Sequence, residues 1–450
     1  MQRFAKLTSR QMSKRVVFIT ALLCVQGVFG TTVNADVSPR VFGTESADGT
    51  RAVSLLCLDL DDAVSGSVKA ALLSRLGEVP RTSVTENLDQ CTDAEDHLVL
   101  TVGNTELATA IIPDTETGAL PSEGFIIRFL TVKGRAAIAV RGQGRSDFTS
   151  GAHLGTTYGL FSVLEKLGFS FLHPLDPTVP ERLAFDPQSI DTRESPHLRI
   201  RGIHLHTMHP LELTNLLNGW GKTGPDDAAG FTNMLAEWRS FLTWMLANKL
   251  NRVQWVLLAS PQWADFVKSD TRLQRLTALV SIAHDFGIET GIDAPIALRQ
   301  QNAFRLLTRR GSLDEELREI CENIDWLMRA GFDYLASENG TTEFTHSDAE
   351  RMLAWMDGIA DHLDTAHRGK RLYMKIHVSS GQHTDAYKDP VTGGPLNINY
   401  LTYYADRRTG VMPHTVEFWG LDDPAPTYGN VDFSSIFSYL KAEPGRREVL

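Results

Sequence analysis

The sequence predicts an α/β chain: a small N-terminal α/β sandwich followed by a (β/α)8-type barrel that stops after about six strands. Three observations carry this. A hairpin and flanking helices mark the first half, five prolines between Pro174 and Pro196 divide the chain, and a strand–helix rhythm runs from there onward. The 450 residues suffice for two or three domains, and 42% apolar with 22% charged residues is ordinary for a globular protein.

Residues 1–35 read as a signal peptide. Arg3, Lys6, Arg10, Lys14 and Arg15 precede an apolar run, Val16–Val28, and Val33-Asn34-Ala35 fits the small-x-small rule for cleavage. The run is short for a membrane span; an uncleaved anchor is the other reading. Cleavage removes five cations from a chain of formal charge −11. An acidic body excludes nucleic acid as a partner, and no membrane association is expected after cleavage. Export places the mature chain outside the cytoplasm, secreted or periplasmic. Residues 36–50 form a flexible leader rich in Ser, Gly, Thr and Asp.

The α/β accessory domain spans 51–192. Ala52–Leu60 reads as a strand, Val64–Leu76 as a helix and His97–Val102 as a buried strand. Phe125–Val132 and Ala136–Arg141 flank Lys133-Gly134-Arg135, a hairpin signal. Gly151–Leu167 is a helix closed by Gly168. Cys57 and Cys91 flank elements of this region and could pair in an exported protein; independent buried thiols are the alternative. The prolines cannot continue a helix or a central strand, which puts the boundary near Arg193–His197.

Residues 193–450 read as a partial (β/α) barrel. Strand-like runs begin near Ile200, Arg252, Ile288, Phe332, Leu372 and Met412, the last four recurring at roughly 40 residues. Helical stretches at Met234–Asn248, Arg272–Phe286, Leu313–Ala330, Asp348–Thr365 and Phe433–Leu440 lie between or after them. Val449-Leu450 marks where a further strand would begin. A barrel without two strands would have open edges, so a self-associating chain is expected unless another chain completes it. The oligomeric state itself is not legible.

Gly151-Ala152, Tyr158-Gly159-Leu160, Leu164-Glu165, Leu167-Gly168-Phe169 and Phe171-Leu172-His173-Pro174 resemble the end of the accessory domain that precedes several glycosidase barrels, those of β-N-acetylhexosaminidases and α-glucuronidases among them. Arg201-Gly202 with His204 and His206 resembles the first barrel strand of such enzymes. The resemblance implies an exo-acting glycoside hydrolase; a non-catalytic carbohydrate-binding protein, or an inactive truncated relative, is the alternative. One departure is clear. The hexosaminidases carry an adjacent Asp-Glu pair after the fourth strand, where this chain reads Ser337-Glu338-Asn339-Gly340-Thr341-Thr342-Glu343-Phe344.

Groups at the C-terminal ends of barrel strands converge on one site. Glycoside hydrolysis needs two carboxyls there, one to protonate the leaving oxygen and one to attack or to activate water. Glu338 or Glu343 is the candidate acid, with a solvated loop or a helix cap as the competing role. Glu417, in an apolar TVEFW run, is the candidate second carboxyl or else half of a structural ion pair. His204, His206, Asp293, His377 and Asp422 are candidate substrate contacts. Trp220 and Trp419 could stack on sugar rings. Trp238 and Trp244 read as core, and Trp255 could be either. No cysteine–histidine spacing suggests zinc; His204 and His206 with His209 are a weak metal pattern. No cofactor and no metal are expected.

Overall fold

The computed structural model describes residues 49–132, 134–205, 213–297, 302–338, 348–379, 381–415, 420 and 422–450. Two six-stranded sheets organise them. The first contains β1 (Leu55–Leu60), β2 (Ser83–Thr85), β3 (His97–Val102), β4 (Phe125–Val132), β5 (Arg135–Gly142) and β6 (Thr192–Glu194), in the order β2-β1-β3-β5-β4-β6. The core strands β2, β1, β3 and β5 are parallel, while β4 runs antiparallel to β5 and β6. The hairpin sits where the sequence puts it, and Gly134 takes φ +85°, the conformation its tight turn requires.

Helix α1 (Gly66–Gly77) follows β1. Ser65 caps it by accepting from the Val68 amide, and Val68, Leu72 and Leu76 are its buried stripe. Helix α2 (Glu106–Ile111) follows β3 and α3 (Leu154–Lys166) follows β5. Every α3 residue from Leu154 to Leu164 is buried. That is the pattern of a helix covered on all sides. Gly159 makes its approach to β5 possible, because a Cβ there would lie 2.6 Å from Val140. Gly168 ends the helix at φ +109°, as expected of a C-terminal glycine.

Cys57 and Cys91 are joined by a disulfide within a small apolar cluster that includes Val99, Ile112 and Ile126. It closes a loop of 34 residues. Constraining such a loop in the unfolded chain is worth about 3–4 kcal/mol. The Cys57→Ala, Cys91→Ala double variant should therefore unfold at clearly lower guanidinium concentration; an unchanged midpoint would show that the bond contributes nothing.

The second sheet contains β7 (Gly202–Leu205), β8 (Arg252–Val256), β9 (Glu289–Asp293), β10 (Tyr334–Glu338), β11 (Arg371–Ile376) and β12 (Gly410–Pro413). Neighbours in sequence are neighbours in space, and every pairing is parallel. Helices α4 (Ala228–Ala247), α5 (Asp270–Asp285), α6 (Leu313–Met328) and α7 (Ala349–Ala366) make the crossovers, and α8 (Ser434–Ala442) follows β12. Between β11 and β12 the chain instead forms an antiparallel ribbon, His383–Lys388 with Pro395–Asn397, and a 3-10 segment, Ile398–Tyr404.

Several boundaries move from their expected places: α3 begins at Leu154 rather than Gly151, and the strand expected over Ala52–Leu60 divides at Ser54 into Arg51–Val53 and β1. Helix α4 starts at Ala228 rather than Met234, because Asp227 caps it by accepting from the Gly230 amide. The sixth strand begins at Gly410, two residues before Met412, and residues 416–419 of the expected run lie outside the described residues. Its partner β11 ends at Ile376, paired with Pro413, so the ladder stops there. Glu417 and Trp419 fall outside the described residues. Val449 forms a parallel bridge with Val411, as the expected start of a further strand requires. Just before it, Glu448 pairs with Arg199, which precedes β7, so an ion pair joins the two sides of the sheet at its base.

The sheet is curled, and its two faces differ. Val253, Trp255, Ile292, Leu335, Met374 and Val411 belong to the large apolar core that the helices cover. Trp255 is thereby core, its ring 6.0 Å from that of Trp238. The concave face carries the alternate residues. Arg252 on β8 lies three strands from Tyr373 on β11, roughly 14 Å away in a flat sheet. Its guanidinium nevertheless lies 4.4 Å from the Tyr334 ring and 5.2 Å from the Tyr373 ring. The concavity of the sheet accounts for this close approach. Gly291 makes room for this layer, since a Cβ there would lie 2.1 Å from the Tyr334 ring.

Candidate active site

Successive side chains of a strand alternate between faces, so the register of the second sheet decides what meets inside it. Pairing of Arg252 with Glu289 puts those residues in a lower inward layer with Tyr334 and Tyr373. There Arg252 contacts Glu289 at 2.7 Å, Arg145 contacts the same carboxylate at 3.0 Å, and Tyr334 donates to Gln254 at 3.0 Å. Toward the C-terminal ends, Asp293 and Glu338 follow Glu289 and Tyr334 by four residues and Lys375 follows Tyr373 by two; with His204 on β7 these are the inward positions.

Those four make one cluster. Lys375 Nζ lies 2.9 Å from Asp293 Oδ2 and 3.3 Å from Glu338 Oε2. His204 Nε2 lies 2.9 Å from Asp293 Oδ2. Asp293 is fully buried, and Glu338 and Lys375 nearly so, while the His204 side chain is 29% exposed. The cluster thus opens toward solvent on the His204 side. Burial alone would raise the Asp293 carboxyl, but the Lys375 ammonium and the His204 ring outweigh it and hold the group below the ordinary carboxylate range. Burial alone would lower Lys375; the two carboxylates outweigh it and keep the ammonium above its ordinary value.

His377 extends the cluster along β11. It is buried, with its ring centroid 5.5 Å from His414 and 4.7 Å from Tyr428. The Ser379 amide donates to its Nδ1 at 3.0 Å, which fixes the ring's orientation. Asn397 and Asn399, at the end of the ribbon, donate to the Ser379 carbonyl at 3.1 and 2.8 Å. The excursion between β11 and β12 therefore props the loop that orients His377.

Of the expected site residues, the structure brings His204, Asp293 and Glu338 together, with His377 following Lys375 on the same strand. Trp220 is buried edge to face against Trp263, their rings 4.5 Å apart, and offers no open indole to a sugar. Asp422 is exposed in the loop after β12. His206, Glu343, Glu417 and Trp419 lie outside the described residues. Lys375 was missed. Its signal was present: a single cation inside the apolar run LYMKIHV, two residues before His377 and on the same strand face.

No family model and no curated protein matches this sequence. Among solved structures the chain is similar to a chitobiase of Flavobacterium johnsoniae, 12% identical, with a TM-score of 0.48 over 90% of this chain and 56% of that one. A GH20 exo-β-N-acetylglucosaminidase of Vibrio harveyi, in complex with N-acetylglucosamine, is 12% identical with a TM-score of 0.45 over 82% of this chain and 56% of that one. A β-N-acetylhexosaminidase of Bacteroides fragilis is 11% identical with a TM-score of 0.45 over 82% and 67%. The chain spans little more than half the length of the first two.

Proposed function

We propose that this chain is an exported carbohydrate-active protein, an exo-acting glycoside hydrolase whose site is the concave C-terminal end of the second sheet. The observation that carries the reading is the ion cluster of Asp293, Lys375 and Glu338 with His204. Removing several charges from water is costly, and replacing such a cluster by apolar residues is often neutral or stabilising. A cluster of this kind at the strand ends of a barrel, where substrates bind, fits a chemical role better than a packing role.

The roles follow from the partners. Glu338 is ion-paired with a buried ammonium, so it supplies fixed negative charge beside an oxocarbenium-like centre rather than a proton. Asp293 acts as a positioning residue for Lys375 and His204. The proton donor is then Glu343 or Glu417. His204 and His377 supply hydrogen bonds to sugar hydroxyls. Export rests on the signal-peptide reading of residues 1–35, and the Cys57–Cys91 disulfide suits an oxidising compartment. Among the described residues no helix is long and apolar enough to cross a membrane. Exo action rests on the resemblance of the Gly151–Pro174 segment alone.

Sugar binding without turnover is the second reading. It is favoured by the engagement of both described carboxylates with Lys375. A hydrolysis screen on aryl glycosides and aryl uronides, run beside thermal unfolding with the matching free sugars, separates the two. Release of the aryl alcohol supports the hydrolase. A sugar that raises the melting temperature while no aryl glycoside is cleaved supports binding alone.

A further inference from the structure

We propose that Asp325, His362 and His367 form a second site, for a divalent metal ion of the zinc type, on the helical surface between α6 and α7. One ligand atom from each residue lies within 4.8 Å of the other two. The Nε2 atoms of both histidines converge on the same oxygen, Asp325 Oδ1, each at 2.7 Å. Two imidazoles and a carboxylate are the donor set of many three-ligand zinc sites, in which water takes the fourth position.

The backbone explains how the two histidines meet. On an unbroken helix, residues five apart point about 140° away from each other. His362 lies in the last turn of α7, and His367 is its C-cap, with φ −131° and ψ 56°. That break lets the second ring fold back, so the ring centroids are 5.6 Å apart. The C-terminal end of a helix carries partial negative charge, which adds to the attraction for a cation. Bonds of 2.0–2.1 Å to a tetrahedral ion put ligands about 3.3 Å apart. The two Asp–His contacts must therefore open by roughly half an ångström, on side chains that are all partly exposed. Sequence spacing hides the site because Asp325 belongs to the preceding helix.

The site is tested with tag-free protein carrying Cys24→Ser and Cys321→Ser, which removes Cys321, the free thiol among the described residues, and Cys24 as competing ligands. Calorimetric titration with zinc chloride and the visible absorption of the cobalt complex are the readouts. We expect one ion per chain, d–d bands of a tetrahedral nitrogen and oxygen site, and a raised melting temperature. His362→Ala, His367→Ala and Asp325→Asn should each weaken binding at least 10-fold, on the scale of lost metal-site contacts. His284→Ala, at another His–Asp pair, should leave it unchanged. Absence of binding overturns the proposal. So does binding that survives both histidine variants, or that is lost instead with His204→Ala at the strand-end cluster. Far-ultraviolet circular dichroism of each variant separates lost binding from lost fold.

Discussion

Lys375→Met is expected to destabilise the chain by about 3–5 kcal/mol, the cost of leaving buried charge without its partner. Lys375 is the cation between Asp293 and Glu338, and all three are buried. Methionine fills similar volume, so the loss is electrostatic rather than a cavity. Adding Asp293→Asn removes one orphaned charge and should recover part of the loss. The pH dependence has a definite sign. The native Asp293 carboxyl is held low and Lys375 is held high. Their contribution is complete between the ordinary aspartate and lysine values. It is lost as pH falls below the first or rises above the second. In Lys375→Met, burial of Asp293 acts with less opposition and raises its carboxyl. The folded state then binds the extra proton, and the variant gains stability as pH falls from neutral. Denaturant unfolding of wild type and variant at neutral and mildly acidic pH measures both effects. Equal stability of the two proteins at neutral pH would remove the cluster's energetic basis.

Glu338→Gln is expected to lower turnover of a cleaved aryl glycoside about 10³-fold, roughly 4 kcal/mol of transition-state stabilisation. The amide keeps the shape of the carboxylate and loses its charge. Because Asp293 still pairs with Lys375, the folded state should tolerate the change far better than it tolerates Lys375→Met. KM should move little if the charge acts mainly in the transition state. Undiminished kcat in Glu338→Gln would move the chemistry to other residues.

The strand–helix rhythm of the second sheet was legible because outward positions of a covered parallel sheet are apolar and the crossover helices carry their own stripe. Val253, Trp255 and Ile292 show the first, and α5 and α6 the second. The expected start of strand six near Met412 lies within Gly410–Pro413, and residues 416–419 of the apolar run that follows lie outside the described residues. The start of α4 was missed because Ala228–Thr232 offers little apolar periodicity, and its signal is the Asp227 cap. Asp293 and Glu338 could be nominated from their places at strand ends. Their meeting with Lys375 could not, because it depends on curvature that brings β9 and β11 within reach across β10. Trp220 looked available in a glycine-rich loop, but the Trp263 ring that covers it lies far along the chain.

The most direct test of the site is a crystal structure of Glu338→Gln soaked with the sugar whose aryl glycoside the wild type cleaves. We expect density for that sugar at the strand ends, within hydrogen-bond reach of the substituted position 338 and of His204, on the solvent side of the Asp293–Lys375 pair. A sugar bound elsewhere on the chain, with the strand-end cluster unchanged and empty, would contradict the assignment.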